Sequence, residues 1–233
     1  MELVLVRHGE SLANVAAEEA EASGALRIAV PARDADVELS DRGRGQAEDL
    51  GRRLATEPVV DAVWVSPYRR AQETAAIALS AAGWDRSPRV DERLRDRELG
   101  ILDALTGRGV RELHPDEAER RRWLGKYYYR PPGGESWADV ALRVRSLVPD
   151  LGTSGERVLV VAHDAVIWLF RAVLERIEER PLLDLAAADP IRNASITRLV
   201  GDGSGPWRAA LVNDVGHVAE VTEHGGRPDA PRD

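Results

Sequence analysis

The chain has 233 residues, a formal net charge of −8 at pH 7 and no cysteine. This length allows one or two domains, and the missing cysteines exclude disulfides, cysteine-ligated zinc and a cysteine nucleophile. Of the 32 basic residues only Lys126 is a lysine, and the others are arginines, whose side chains suit small anions. The net negative charge disfavours nucleic acid as a partner. No apolar run is long enough for a membrane span and no signal-peptide pattern opens the chain, so we expect a cytoplasmic protein without a membrane partner.

Three short apolar runs are typical of strands that are buried on both faces. They span residues 3–6, 61–65 and 157–162, are rich in β-branched side chains, and end abruptly at polar residues. Continuous apolar runs of this kind indicate a parallel sheet covered on both sides. A later pair, residues 195–200 and 207–212, is separated by a glycine-rich turn and predicts an antiparallel edge of the same sheet.

Helical patterns alternate with these strands. Four are predicted, over residues 40–55, 67–82, 137–151 and 165–177. The first begins at a serine and an aspartate that suit a helix N-terminus, and the last is apolar on most sides, which predicts a buried helix. Strands that alternate with helices indicate an α/β fold, which we expect to have three layers, α/β/α, around a mostly parallel central sheet.

Two segments interrupt this alternation as insertions. Residues 15–38 are acidic and alanine-rich, and residues 100–134 carry clusters of arginine and tyrosine closed by a Pro-Pro-Gly-Gly run. Long insertions after strand ends usually cover an active site, so we interpret residues 100–134 as a cap segment. No internal repeat or domain boundary is evident, which predicts one domain over residues 1–223 and a disordered tail at 224–233.

Two histidines directly follow predicted strands. His8 comes after the first strand and His163 after the third, and ligands of open α/β sheets bind beyond the carboxyl ends of the strands. The topology would therefore bring the two imidazoles together, with Arg7 beside one of them. The second strand leads into a helix that begins near Arg69 and Arg70, and a helix N-terminus already favours an anion.

Carboxylates for acid–base chemistry come from residues 94–100, which contain Asp96 and Glu98. A carboxyl group in a cleft can serve as a general acid if its pKa is raised. A pocket of two histidines, two arginines and a carboxylate suits phosphoryl transfer without a metal, because a neutral histidine nitrogen is a nucleophile and arginines stabilise the phosphoryl group in flight. The alternatives are structural: histidines packed in the core, and carboxylates that only pair with neighbouring arginines.

Five ordered blocks, followed by a late Asn-Ala-Ser at 193–195, carry a family resemblance. They are LVRHGES at 5–11 with Asn14 following, LSDRGRGQA at 39–47, SPYRRAQET at 66–74, GES at 134–136 and VVAH at 160–163. In this order they resemble the histidine phosphatase superfamily, the phosphoglycerate mutase-like proteins. An Arg-His-Gly alone occurs by chance, whereas five blocks in order over residues 3–199 are highly specific.

The resemblance implies phosphoryl transfer through a covalent intermediate on His8. Around this nucleophile it implies four phosphate-binding residues: Arg7, Asn14, Arg70 and His163. Arg70 is preferred to Arg69 because it directly precedes the alanine of its block. Two residues of the matching blocks and one of the cap are interpreted as substrate-binding: Ser11, Glu135 and Arg130.

Two positions depart from the family pattern. The family's proton donor lies four residues before a glycine, here Gly100, which selects Asp96 where the family often has glutamate, with Glu98 as the alternative donor. After His163 the family commonly has glycine, and this chain has Asp164. A negative side chain beside a phosphate is unfavourable unless it points away or pairs with an arginine.

The resemblance favours a metal-independent phosphatase that hydrolyses small phosphate monoesters and needs no cofactor. Residues 31–38 lack the glycine and tryptophan of the mutase loop, and the Pro-Gly-Gly-Glu-Ser run is similar to the broad-specificity phosphatases. A mutase-type isomerase and a non-catalytic phosphate-binding protein on the same fold are the alternatives. Substrate choice would lie with basic and aromatic cap residues: 120–122, Lys126, 127–129 and Arg130. The sequence leaves the oligomeric state open, a homodimer included.

Overall fold

A six-stranded sheet organises the protein in its computed structural model, which describes residues 1–30, 32–203, 205–219 and 221. The strands are β1 Glu2–Arg7, β2 Ala62–Val65, β3 Arg89–Val90, β4 Arg157–Ala162, β5 Ile196–Val200 and β6 Arg208–Asp214. The helices within these described ranges are α1 Leu12–Ser23, α2 Asp41–Leu54, α3 Arg69–Ala82, α4 Gly107–Leu113, α5 Pro115–Tyr128, α6 Trp137–Gly152, α7 Asp164–Glu175 and α8 Glu179–Ala188.

The strand order is β3-β2-β4-β1-β5-β6. Strands β1, β2, β3 and β4 run parallel, and β1 lies beside β4 with Arg7 opposite Ala162. Strand β5 pairs antiparallel with the other side of β1, and β6 pairs antiparallel with β5. The predicted mostly parallel sheet with an antiparallel edge is therefore confirmed. The two-residue strand β3 was not predicted from the sequence.

Alternate side chains of the central strands pack against helices on opposite faces. In β1, Leu3 and Leu5 join a core with α6 and α7. Val4 and Val6 point the other way and join a second core with α2 and α3. This alternation follows from the two-residue period of a strand. It confirms the three-layer α/β/α fold.

Helix α1 occupies much of the segment that the sequence predicts as an insertion. Ser11 caps it, and its buried face consists of small residues: Ala13, Ala17 and Ala20. Alanine contrasts little with polar neighbours, so the pattern did not predict a helix there. Helices α4 and α5 form most of the predicted cap, and α8 is a further addition. In the described part of the chain no helix is long and apolar enough to cross a membrane; the tail predicted at 224–233 lies outside that part.

The start of α2 packs tightly against the loop that follows β1. The amide of Glu10 donates to Gln46 at 2.9 Å, and the Ser40 hydroxyl donates to the Glu10 carboxylate at 2.6 Å. A Cβ on Gly43 would lie 1.9 Å from the Glu10 carbonyl oxygen, and one on Gly9 would lie 2.5 Å from the Gly43 carbonyl oxygen. Glycine at these two positions therefore lets the helix hold the loop that carries His8.

Gly43→Ala is expected to destabilise the protein by about 1–3 kcal/mol, because the added methyl group forces backbone apart in a packed contact. Chemical denaturation measures the free energy of unfolding. Gly45→Ala is the matched control on the same helix, since nothing lies within 4 Å of its added Cβ. It is expected to stabilise by up to about 1 kcal/mol through helix propensity. Equal effects at the two positions would contradict the close-approach argument.

Candidate active site

Two histidines meet at the carboxyl ends of neighbouring parallel strands. His8 follows β1, and His163 follows β4 as the N-cap residue of α7. Because β1 and β4 are in register up to their last residues, the rings lie 5.1 Å apart between centroids, at 62°. The structure thus brings together the pair that the strand-end argument predicts.

The orientation of His8 is set by its main-chain partner. Its Nδ1 lies 2.7 Å from the carbonyl oxygen of Gly9, which can only accept a hydrogen bond, so Nδ1 carries the proton and Nε2 the lone pair. The Gly9 amide donates to the Thr74 hydroxyl at 3.0 Å, which fixes this turn. Burial, followed by the charges of Arg70, His163 and Arg7, lowers the pKa of His8 well below its usual 6.5. The imidazole is therefore neutral at neutral pH.

Arg70 is the arginine of its pair that enters the site. Its Nε donates to Nε2 of His8 at 3.2 Å, and its side chain is 4% exposed. Arg69, one residue earlier on α3, is half-exposed and pairs instead with Glu38 and Glu73. The preference for Arg70 therefore agrees with the placement of the two side chains.

Arg7, the last residue of β1, is buried and directly precedes His8. One of its terminal nitrogens donates to the carbonyl oxygen of Ile191. Among the described residues its Nε has no hydrogen-bond acceptor, although it is buried. Burial lowers the pKa of Arg7, and the charges of Asp164 and Asp96 oppose that shift. A buried guanidinium nitrogen without an acceptor, in a cleft, is suited to an oxyanion.

Asp96 is the carboxylate that faces this cluster. Its Oδ2 lies 3.0 Å from Nη2 of Arg70 and 3.3 Å from Nδ1 of His163. Glu98 is exposed and accepts from the Tyr68 hydroxyl at 2.8 Å. The structure therefore brings Asp96 to the histidines and arginines and does not bring Glu98 there.

A cleft opens onto these side chains. Ser11 and Asn14 line it, and their side chains form the cap of α1. The Asn193 amide, at the entry to β5, donates to the His8 carbonyl at 3.0 Å. Among the described residues the lining includes none from 100–134, so the predicted cap contributes no wall to this cleft.

Glu135 and Arg130 do not reach the cleft. Arg130 is exposed and pairs with Asp139. The Glu135 carboxylate instead receives both arms of the Arg143 guanidinium, from Nε and Nη2 at 2.9 Å each, and Nη2 of Arg95 at 2.6 Å. Glu135 thus belongs to a group of ion pairs outside the cleft.

Arg143 and Glu135 hold the segment that carries Asp96. Arg143 donates to the carbonyl oxygens of Arg93 at 2.7 Å and Arg95 at 3.2 Å, and it approaches that of Asp96 at 3.4 Å. A single guanidinium thereby fixes the backbone on both sides of the carboxylate. We interpret Arg143 as a positioning residue for Asp96.

Arg143→Lys is expected to lower kcat roughly tenfold to a hundredfold, because one ammonium group cannot hold the same set of acceptors and Asp96 shifts. The affinity for inorganic phosphate, measured by calorimetry, should not fall, since the cationic groups around His8 are untouched. Arg145→Lys, at an exposed position of the same helix, is the control. A parallel loss of phosphate affinity and kcat would contradict a role confined to Asp96.

Asp164 and Asp34 line the cleft in addition to the residues expected there. Asp164 is the departure from the family pattern, and its carboxylate accepts from the Ile191 amide at 3.3 Å. Its negative charge opposes the lowering of the Arg7 pKa by burial. Asp34 comes from the segment between α1 and α2, and no motif pointed to it.

In the described part of the chain, no cluster of three or more His, Asp or Glu side chains could hold a metal ion.

Comparison with known proteins agrees with this geometry. The chain matches the histidine phosphatase superfamily (branch 1) over residues 3–215, and it belongs to that family. The 2,3-bisphosphoglycerate-dependent phosphoglycerate mutase of Methylobacterium radiotolerans is 34% identical over 190 residues, covering 78% of this chain and 83% of the mutase.

Two solved structures have the same fold. A mycobacterial glucosyl-3-phosphoglycerate phosphatase is 31% identical, with a TM-score of 0.72 over 91% of this chain and 98% of the other. Bacillus stearothermophilus YhfR is 30% identical, with a TM-score of 0.75 over 93% and 98% of the two chains. The named relatives thus include a mutase and a phosphatase at similar identity, and the family's members are enzymes of one or the other kind.

Proposed function

We propose that this protein hydrolyses phosphate monoesters through a phosphohistidine formed on His8. The observation that carries the proposal is the geometry of His8: its Nδ1 faces the Gly9 carbonyl oxygen, which leaves the lone pair on Nε2, 3.2 Å from Nε of Arg70. Such a nitrogen is a competent nucleophile, and cationic groups around it stabilise the charge of a transferring phosphoryl group.

The phosphate is held by Arg7, Arg70 and His163. The buried Nε of Arg7 supports this role, because an oxyanion supplies the acceptor that it lacks among the described residues. Asn14 and Ser11, which line the same cleft, contact the substrate. All these residues stand on or beside one sheet, which supports a single domain over residues 1–223.

In the first step, Nε2 of His8 attacks phosphorus and the bond from phosphorus to the ester oxygen breaks. Asp96 donates its proton to the departing oxygen, so that an alcohol leaves.

In the second step, Asp96 as a carboxylate takes a proton from water while the water oxygen attacks phosphorus. The bond between phosphorus and Nε2 of His8 breaks, and inorganic phosphate is released. Asp96 is protonated again and His8 is neutral again, so atoms and charges return to the starting state.

The charge balance of the cleft favours a phosphatase over a mutase. Three arginines and three aspartates line it in the described part of the chain: Arg7, Arg70, Arg97, Asp34, Asp96 and Asp164. A mutase must hold a bisphosphate, and a second anionic group in a cleft of balanced charge gains little attraction. The similarity to phosphoglycerate mutases makes isomerisation the second candidate.

The experiment that tests this proposal compares two reactions of the purified protein. Release of inorganic phosphate is measured for p-nitrophenyl phosphate and for a panel of sugar phosphates and phosphorylated carboxylic acids. Isomerisation of 3-phosphoglycerate is measured with and without 2,3-bisphosphoglycerate. We expect phosphate release and little isomerisation; isomerisation that exceeds hydrolysis and depends on the bisphosphate would overturn the preference for a phosphatase.

A further inference from the structure

The Asp34 carboxylate pairs with Arg70, the arginine that the proposed function assigns to phosphate binding. It lies in a short 3₁₀ turn, Asp34–Asp36, between α1 and α2. Its Oδ1 is 3.1 Å from Nη1 of Arg70, and its carbonyl oxygen accepts from the same Nη1 at 2.7 Å. Its side chain is only 14% exposed, so this contact is shielded from solvent. The ion pair is part of a buried site rather than a surface pairing.

All three nitrogens of the Arg70 guanidinium are engaged in this structure. Nε donates to His8, Nη1 donates twice to Asp34, and Nη2 donates to Asp96 and, at 3.5 Å, to Oδ2 of Asp34. A phosphate can receive hydrogen bonds from Arg70 only if some of these acceptors give way. His8 and Asp96 take part in the proposed chemistry, whereas Asp34 has no step in it.

We propose that Asp34 is an internal competitor of phosphate for Arg70, and so a residue that determines how tightly the site holds an oxyanion. The inference rests on the proposed function, which assigns Arg70 to phosphate. A carboxylate and a phosphate are acceptors of the same kind for a guanidinium, and two negative groups on one arginine repel each other. The Asp34 carboxylate must therefore be displaced, or must tolerate a like charge beside it, whenever phosphate binds.

This competition acts on the phosphate product as well as on the phosphate group of the substrate. Inorganic phosphate has no alcohol part to add contacts elsewhere in the cleft, so its binding depends most on the arginines. Asp34 thereby reduces inhibition by the product and speeds its departure. The same carboxylate lowers the affinity for any substrate whose binding relies on Arg70.

Calorimetric titration with inorganic phosphate tests the proposal without any turnover. Asp34→Asn keeps the size and an acceptor but removes the charge, and we expect it to bind phosphate about tenfold more tightly than the wild type. The inhibition constant of phosphate against p-nitrophenyl phosphate should fall by a similar factor. Asp34→Ala, which removes the carboxylate altogether, should shift both constants in the same direction.

Asp36→Asn is the matched control. It removes the same charge from the same turn, but its carboxylate is 58% exposed and pairs with Arg33 rather than with Arg70. Its phosphate affinity should equal that of the wild type. An equal gain in Asp36→Asn would assign the effect to net charge and overturn the proposal. Weaker or unchanged binding in both Asp34 variants would overturn it too, since Asp34 would then support Arg70 rather than compete for it.

Failure of this inference and failure of the proposed function give different results. If the wild type binds phosphate and Asp34→Asn binds it more tightly, the competition holds even if no monoester is hydrolysed. If monoesters are hydrolysed and the affinity is the same in both proteins, the competition is wrong and the phosphatase assignment stands.

Discussion

The His8→Ala variant is expected to lose on the order of 10⁴ or more in kcat on p-nitrophenyl phosphate, because the nucleophile that forms the covalent intermediate is gone. Among the described residues that line the cleft, none offers a replacement nucleophile: the Asp96 carboxylate is engaged by Arg70 and His163, and Asn14 belongs to the cap of α1. Phosphate binding should persist in part, since Arg7 and Arg70 are unchanged. The loss should therefore appear in kcat rather than in affinity.

A trapping experiment separates this role from a structural one. Rapid quenching of the wild type with a radiolabelled monoester should leave label on the protein that survives alkali and is lost in acid, as a phosphoramidate bond behaves. His8→Ala should retain none. His114→Ala is the control, because His114 lies between α4 and α5 and is not part of the cleft. Wild-type turnover by His8→Ala would show that the nucleophile has been assigned to the wrong residue.

Asp96→Asn is expected to reduce kcat by about 10²–10³ on phosphate esters of simple alcohols, since an amide cannot give a proton to the departing oxygen. With p-nitrophenyl phosphate the first step, measured as the pre-steady-state burst of p-nitrophenolate, should be slowed much less, because p-nitrophenolate departs without a proton. This dependence on the leaving group is the signature of a proton donor. A residue that only shapes the cleft would affect both classes of ester alike.

Glu98→Gln provides the comparison that the sequence leaves open. Its carboxylate is exposed and bonded to the Tyr68 hydroxyl, so its variant should hydrolyse both classes of ester close to the wild-type rate. Steady-state kinetics with the two variants on the two ester classes gives the answer. A leaving-group-dependent loss in Glu98→Gln, with Asp96→Asn active on both, would move the proton donor to Glu98.

The parts of the fold that can be predicted from the sequence are those with a strong local pattern. Strands β1, β2 and β4 are continuous apolar runs, and α2 and α6 combine serine caps with a periodic apolar face. Strand β3 has two exposed residues and exists only because β2 offers it an edge, so no local pattern could reveal it. Helix α1 could have been found from its capping box, Ser11 with Asn14, even though its buried face is only alanine.

The same distinction separates the site residues that the sequence predicts from those that it does not. Residues at strand ends and in motifs, such as His8, Arg70 and His163, come together because the sheet topology fixes where strand ends meet. Asp34 depends on how an irregular segment folds over α3, 36 residues away in sequence from Arg70, and local sequence carries no trace of that. The contact of Glu135 with the segment that carries Asp96 was hidden for the same reason, because Arg95, which donates to Glu135, lies 40 residues earlier in the chain.

The position of β1 has a consequence for how the protein reaches this state during synthesis. It comes earliest of the six strands along the chain, yet its two neighbours in the sheet are β4 and β5, which begin at residues 157 and 196. Until those residues emerge, both edges of an apolar strand are unpaired, which is a hazard for association between nascent chains. The segment that carries His8 also lacks two hydrogen-bond donors until β5 is approached. These are the Asn193 side-chain amide and the Ala194 N–H, which donate to carbonyl oxygens of that segment. We therefore expect the central part of the sheet to form only after β5 has been synthesised.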